Sequence, residues 1–589
     1  MWIRLWLYGV LALAAANAPG DAWNLVEAGA VADGETDCTA AFQKALDAAA
    51  DNGGGTVHVP AGHYRLDGTL RIPGGVTLEG TFRVPPMNRH EGQPKMHGSV
   101  LLAYAGRGSR EGEPFIRLAG SMATLAGVII SYPEWQQTDV PPVAYPSTVL
   151  AEHCENVGIL DCCFLGTYEA IRLQHAARFI VRNVHGYPSF RGLYVDACYD
   201  IGRVENCHFW PFGVSYQHDD PYCKWVNTDG VAFEFARTDW QYVHNTFCFG
   251  YGVGYKFSKS DNGACNGNFL GIGADSCRRP VWVEDSQPPG LLITNGEFVG
   301  RWGSTDSVGI EIAEHAGLGK VSLNNCSFWG PLDRCIWLKS AKVQVTAMGC
   351  NFVKWDNTYA GSPAIQLDEG RAIIQGNTFG DGDLHLRIGP LVLSALVVGN
   401  QAGGGLNVQN WAGRRAQFMA NEFDPFEWTD EAKAHYRIDV GGDGDRRYVR
   451  EWFGPERAAE WPDGQGTKRW SSGNSLLKLP VLPDRAYTID VEVYVPTYAA
   501  DEANGLYLGD TRVIDLSLNE QITVASGEIP PTGKDEVLLR LRVKSWRPSE
   551  HIEGSTDNRE LGVAVRSVTM RAGKPRQRVF DAGAGQWVE

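Results

Sequence analysis

The stretch Gly309-Ile310-Glu311-Ile312-Ala313 places a small residue before an apolar, polar, apolar triplet, and this unit recurs down the chain. Its apolar pairs are Ile171/Leu173, Leu193/Val195, Val214/Tyr216, Val231/Phe233, Val253/Tyr255, Val281/Val283, Ile310/Ile312, Ile336/Leu338, Ile365/Leu367 and Leu384/Leu386. Successive pairs start about 17 to 29 residues apart, which suits one coil of a solenoid better than a hairpin or a propeller blade. Side chains alternate along a strand, so each pair fills the interior of a coil and the residue between faces out. Gly192, Gly213, Gly230, Gly252 and Gly309 sit just before such pairs. A second marker, Asn or Cys shortly before Phe, recurs at Asn206/Phe209, Asn245/Phe247, Asn268/Phe269, Asn325/Phe328, Asn351/Phe352, Asn377/Phe379 and Asn421/Phe423. It predicts an inward stack at another corner of the coil.

Upstream of the repeats, Asp33-Gly34-Glu35-Thr36-Asp37 precedes an amphipathic run from Thr39 to Ala50 and the turn Gly53-Gly54-Gly55-Thr56-Val57-His58-Val59-Pro60-Ala61-Gly62. This entry resembles the pectate-lyase-like superfamily. The resemblance implies a right-handed parallel β-helix whose open end is covered by a short helix, which hides apolar core and strand edges. The solenoid is expected over residues 23–428, with Asp424-Pro425-Phe426-Glu427-Trp428 as a linker. Beyond it, Tyr436–Val440, Leu476–Val481, Tyr487–Val495, Gly505–Leu508, Val537–Val543 and Leu561–Met570 read as antiparallel strands. They predict a carbohydrate-binding-like β-sandwich over 432–589. The run Asp557-Asn558-Arg559-Glu560-Leu561-Gly562-Val563-Ala564-Val565-Arg566 is similar to the end of sandwich modules in bacterial glycan-related proteins.

Residues 1–22 read as a signal peptide: Arg4 precedes an apolar run from Leu5 to Ala16, and cleavage would follow Ala18 or Ala22. A secreted or periplasmic protein is expected, free of the membrane after cleavage. The formal charge of -16 opposes nucleic acid and anionic surfaces as bulk partners. The 69 glycines suit turns between short strands, and the 19 tryptophans offer faces for sugar rings. The thirteen cysteines, an odd number spread through the repeats, read as buried thiols with room for one or two disulfides. No metal-ligand spacing is present, and no cofactor is expected unless a lyase uses Ca²⁺.

With the pairs facing in, the first outward column reads Arg172, Tyr194, Ser215, Ala232, Gly254, Trp282, Glu311, Trp337, Gln366, His385. The second reads Gln174, Asp196, Gln217, Glu234, Lys256, Glu284, Ala313, Lys339, Asp368, Arg387. Ser215, Ala232 and Gly254 would leave room for a chain of sugars. Lys256, Trp282, Glu311, Trp337, Tyr194 and Arg172 would bind it, and Asp196, Glu234 and Glu284 are candidate acids and bases. Asn227-Thr228-Asp229-Gly230 resembles the Asn-Thr-Asp-Gly motif of polygalacturonase-type inverting hydrolases, a resemblance that implies a catalytic carboxylate at Asp229. The paired aspartates of that family would fall at Tyr251-Gly252, and its Gly-His-Gly near Gly271-Ile272-Gly273, so the second carboxylate must come from elsewhere. Asp219 and Asp220 are candidate rim or cation-binding residues.

Three functions follow. Glycoside hydrolysis would use two carboxylates, about 6.5 to 9.5 Å apart for inversion or about 5 to 5.5 Å for retention. A lyase acting on a uronate-containing glycan would use Lys256, Arg278 or Arg279 as base. A non-catalytic solenoid would bind glycan in the same groove.

Overall fold

The computed structural model describes residues 22–589 except 85–95, 359, 423–427, 443, 460, 462–463, 518–521, 575–578, 582–585 and 589. Residues 1–21 of the expected leader, and most of the expected linker, lie outside the described residues. The chain divides into two compact units, Met1–Glu422 and Phe423–Glu589.

The first unit is a parallel β-helix built from a thirteen-stranded sheet and a twenty-five-stranded one. Its interior is one continuous apolar core, running from Leu25 to Ala416. Helix α1, Thr39–Asp51, covers the first coils with Phe42, Ala45, Leu46 and Ala49 buried, and Phe42 meets Tyr64 edge-on at 5.4 Å. After α1 the chain turns sharply. Gly54 takes φ +116, and a Cβ there would stand 2.7 Å from the Gly75 carbonyl oxygen, so glycine is required.

The thirteen-stranded sheet pairs Ile171 with Leu193, Leu193 with Phe233, Phe233 with Tyr255, Tyr255 with Val281, Val281 with Ile310 and Ile310 with Ile336. Most of the sequence rungs are therefore observed, and Leu70–Ile72, Ile116–Leu118, Val149–Glu152 and Val408–Asn410 extend the sheet at its ends. Three corrections apply. The interior pairs are Phe233/Phe235, Tyr255/Phe257 and Leu386/Ile388, two residues later than expected. Val214 and Tyr216 belong to no strand. Ala232 and Gly254 face the core: Ala232 is fully buried within it, and a Cβ on Gly254 would meet Ala274 and Cys248.

The Asn marker has two structural roles. Asn183, Asn206, Asn245, Asn295 and Asn325 stand at left-handed corners with φ of 51 to 56°, where Gly349, Gly376 and Gly399 stand on later coils. These are the residues that tolerate such a corner. One position further on, a polar side chain points inward and donates to a carbonyl of the preceding coil. Asn377, Asn400 and Asn421 donate to Ala347, Ile374 and Val397 at 3.1, 3.0 and 2.9 Å. Cys207, Cys326 and Cys350 make the equivalent Sγ contacts to Val181, Ile293 and Leu323 at 3.8, 3.9 and 3.8 Å. All thirteen cysteines are free and buried, in line with the buried thiols read from the sequence, and the one or two disulfides for which there was room are not formed. Phe298, Phe328, Phe352 and Phe379 stack beside this ladder at 5.4, 5.0 and 4.8 Å.

The second unit is an antiparallel sheet of nine strands around its own core of Leu477, Leu479, Ile489, Val491, Leu539, Leu541, Val568 and Met570. Thr511–Asp515 and Ile522–Ile529 end the strand order, yet a Cβ on Gly527 would lie 2.0 Å from the Val513 carbonyl oxygen. The sheet thus folds over until its ends meet, which is how it encloses a core.

Because Phe352 is wedged between two stacked rings, Phe352→Ala should cost about 3 to 5 kcal/mol. Urea titration of the protein measures this directly, and a loss below about 1 kcal/mol would show that the stack is not close-packed.

Candidate functional site

Correct registration brings Arg117, Leu150, Arg172, Tyr194, Glu234, Lys256, Trp282, Glu311, Trp337, Gln366 and Arg387 into one outward column on successive strands. Glu234 and Lys256 stand in this first column and not the second. Neighbours along it are about 4.8 Å apart, so charges and rings contact directly.

Most of these groups are already engaged. Glu234, only 8% exposed, lies between Arg191 at 3.2 Å and Lys256 at 3.5 Å, and Lys256 also reaches Glu284 at 3.0 Å. Glu311 pairs with Arg279 and Lys339. Burial opposes its ionisation, but these two cations hold its carboxyl below the usual glutamate range. The rings carry cations too: Arg172 and Arg191 lie 5.1 and 4.5 Å from the Tyr194 centroid, and Lys256 lies 5.1 Å from Trp282. Lys339 and Arg334 lie 3.8 and 4.5 Å from Trp337, whose Nε1 donates to Asp368 at 2.7 Å. Burial, then the charges of Asp196 and Glu234, push the Tyr194 phenol up to about 12. The column is a self-neutralising network, and sugar stacking on Trp282 or Trp337 would have to compete with cations.

The remaining predicted carboxylates fall apart from one another. Asp196 is buried, accepting from the backbone N–H groups of Ala197 and Arg237 at 2.8 and 3.1 Å, from Ser260 at 2.7 Å and from Asn262 at 3.1 Å. Those four donors make it a brace for the 258–262 turn. Asp229 ends helix α2, Pro221–Asp229, and is exposed; the motif forms the end of that helix, directly before the strand Val231–Phe235. Within that motif Asn227 is buried, donating to the Gly250 carbonyl at 2.6 Å and accepting from Tyr216 at 3.1 Å. Asp220 caps α2 through the Cys223 N–H at 3.0 Å, and Asp219 is fully exposed. Arg278 pairs with Asp306 at 2.9 Å. Among the described residues no cluster of three metal-ligating side chains occurs.

A cleft of about 440 Å³ opens at the N-terminal end of this column, lined by Arg110, Glu111, Gly112, Pro114, Ser147, Leu150 and Arg172. Of the predicted set it includes Arg172 alone. Arg172 is fixed by the buried Glu169, to which Nε and Nη2 donate at 2.9 and 3.0 Å, and Nε also reaches Ser147 at 3.1 Å. Arg110 lies 4.1 Å over the Phe190 ring, which stacks on Tyr168 at 5.1 Å. Burial raises the Tyr168 phenol, and Arg110, Glu169, Arg191 and Asp229 all act on it, so these five groups share one locality. Arg110, Tyr168, Glu169, Phe190 and Arg191 were missed. Glu169 and Arg191 stand two residues before the interior pairs, a third outward position that the repeat already contained. Arg110 lies in a loop outside the periodicity, where no signal marked it.

Residues 22–110 match the family described as rhamnogalacturonase A/epimerase, pectate lyase-like. With the sheet topology above, the protein has the fold of the pectate-lyase-like superfamily of parallel β-helices. Two Azotobacter vinelandii proteins align over short stretches. Mannuronan C5-epimerase AlgE4 is 34% identical over 116 residues, 18% of this chain and 21% of that protein. Alginate lyase 7 is 52% identical over 65 residues, 10% of this chain and 8% of that one. The chain thus spans about a fifth of the first relative and under a tenth of the second. Among solved structures, the A-module of A. vinelandii mannuronan C-5 epimerase AlgE6 is 15% identical, covers 64% of this chain and 99% of its own, and has a TM-score of 0.39. The tailspike protein of E. coli bacteriophage HK620, in complex with a pentasaccharide, is 11% identical with 94% of each chain covered and a TM-score of 0.44.

If Asp196 is a brace, Asp196→Ala should destabilise the solenoid by about 3 kcal/mol, because it strands buried donors. Thermal unfolding checks this; unchanged stability with lost turnover would return Asp196 to the list of catalytic groups.

Proposed function

We propose that the chain is a polysaccharide-modifying enzyme that acts on an acidic, uronate-containing glycan by abstracting the proton next to the carboxylate, as lyases and epimerases do. The observation that carries this reading is the cleft. Arg172 offers it a guanidinium already oriented by Glu169, and Arg110 stands over an aromatic ring with no carboxylate partner among the described residues. Such an arginine pair matches the planar fork of a carboxylate, and neutralising that carboxylate makes the adjacent C–H more acidic. Tyr194, whose phenol stays protonated, is the candidate acid. Asp229, the exposed carboxylate that acts on Tyr168, is the candidate base. Lys256, held between Glu234 and Glu284, serves as a fixed cation. The names of the partial relatives, a mannuronan C5-epimerase and an alginate lyase, are consistent with this chemistry.

Glycoside hydrolysis is the second reading, favoured by the exposure of Asp229. None of its three predicted partner carboxylates is free, since Glu234 and Glu284 are ion-paired and Asp196 is enclosed. Ca²⁺ takes six to eight oxygens, and carboxylates already bound to Arg and Lys do not fit it. Export through residues 1–22 and sugar binding by the second unit belong to the same proposal.

The test incubates the protein with polymannuronate and polygalacturonate in D₂O. Unsaturated ends report elimination, deuterium at C5 reports epimerisation, and new reducing ends without unsaturation report hydrolysis. Arg110→Gln and Arg172→Gln should each lower kcat/KM at least tenfold, about 1.4 kcal/mol, and Asp229→Asn should lower kcat at least a hundredfold. Hydrolysis products alone would overturn the reading.

A further inference from the structure

The larger sheet, to which the cleft column does not belong, carries on its outer face two histidines on adjacent strands, His185 of Ile180–Gly186 and His208 of His208–Phe209, in direct register. Their rings lie 6.4 Å apart. The segment Trp210-Pro211-Phe212-Gly213 folds back over them. Phe212 meets His185 at 6.1 Å and His208 at 5.6 Å, Trp210 meets His208 at 5.7 Å, and Phe247 closes the far side at 5.1 Å. Phe212 continues into a small apolar cluster with Phe82, Cys163 and Leu165.

Two nitrogens in this box, Nδ1 of His185 and Nε2 of His208, are buried without a hydrogen-bond partner. The other nitrogen of His185, Nε2, contacts Asn183 Oδ1 at 2.9 Å. A neutral imidazole tolerates such a place; an imidazolium does not, because its second N–H would lack an acceptor. The charged or titratable neighbours are few. Asp161 favours charging of His185 but is shared with Arg83, 3.8 Å away, while His208 opposes it and the Cys163 thiol is neutral. Burial dominates, holding His185 down to about 4 and lowering His208.

We propose that His185 and His208 form an acid-sensitive latch, whose protonation unseats the 210–213 segment from the side of the β-helix. The motion has a defined route onward. Trp210 packs on Phe249 at 4.7 Å and Phe249 on Tyr216 at 5.0 Å. Tyr216 holds Asn227 of α2, and the Ser215 backbone is tied to Gln137 by bonds of 2.9 and 3.0 Å. Helix α2 ends at Asp229, so release of the segment slackens one support of that residue. The sign follows from the histidines. Their folded pKa values lie below the ordinary 6.5, so their contribution is complete above that pH and is lost as pH falls from about 6.5 towards 4.

The latch is read without any substrate, by amide hydrogen exchange of peptides covering 203–216, corrected for intrinsic rates, at pH 7 and pH 4.5. The wild-type segment should lose at least tenfold in protection at pH 4.5, while peptides from the Phe328–Phe379 stack keep theirs. His185→Gln/His208→Gln should exchange alike at both values. His208→Phe, which keeps the aromatic box, covers the case in which the double variant does not fold, and should at least halve the response on a logarithmic scale. Equal wild-type protection at both pH values, or an undiminished acid response in the folded variants, would overturn the proposal.

Discussion

The constraint on which the rest of the first unit depends is in-register parallel stacking. Each strand lies about 4.8 Å from the next, so a side chain at one position meets the same position on the coils above and below. Any interior residue must therefore pack on its own kind, and any outward charge must find its opposite one coil away. The phenylalanine stack and the alternation of Glu234, Lys256, Trp282 and Glu311 are two results of that single rule. The same rule explains why the aromatic rings of the column are covered by cations: on a flat parallel face a long Arg or Lys has few other places to rest.

This regularity made the fold legible in the sequence, because a repeated apolar triplet has no comparable use in a sandwich. It also concealed the register. Val231-Ala232-Phe233-Glu234-Phe235 contains two overlapping apolar pairs, and a period of two cannot say which belongs to the rung. Choosing the first moved Glu234 and Lys256 into the wrong column and turned Ala232 and Gly254 outward, although those two residues face the core. Val214 and Tyr216 imitate a rung from a loop. The predicted site suffered accordingly: residue types on the surface were read correctly, but their pairing, which decides whether a carboxylate is reactive or merely balanced, depends on neighbours some twenty residues distant. Arg110 and Glu169 became visible only once those neighbours were placed.

The two units solve the edge problem differently. The solenoid covers its first coils with α1, whereas the second unit folds one sheet until its terminal strands meet near Gly527 and Val513. Both devices cover strand edges that another chain could otherwise capture.

The inward ladder of Cys207, Cys326, Cys350, Asn377, Asn400 and Asn421 has a consequence of its own. Thiol and carboxamide occupy the same place there: the carboxamides donate to a carbonyl of the coil before, while the thiols face that carbonyl at 3.8 to 3.9 Å and lie closer, at 3.4 to 3.5 Å, to a carbonyl two residues back. A sulfur enclosed in the interior of the coils is withheld from redox traffic: it is buried, and no oxidant reaches it while the coils stay closed. The solenoid thus holds thirteen buried free cysteines, and their reactivity becomes a gauge of whether it is intact.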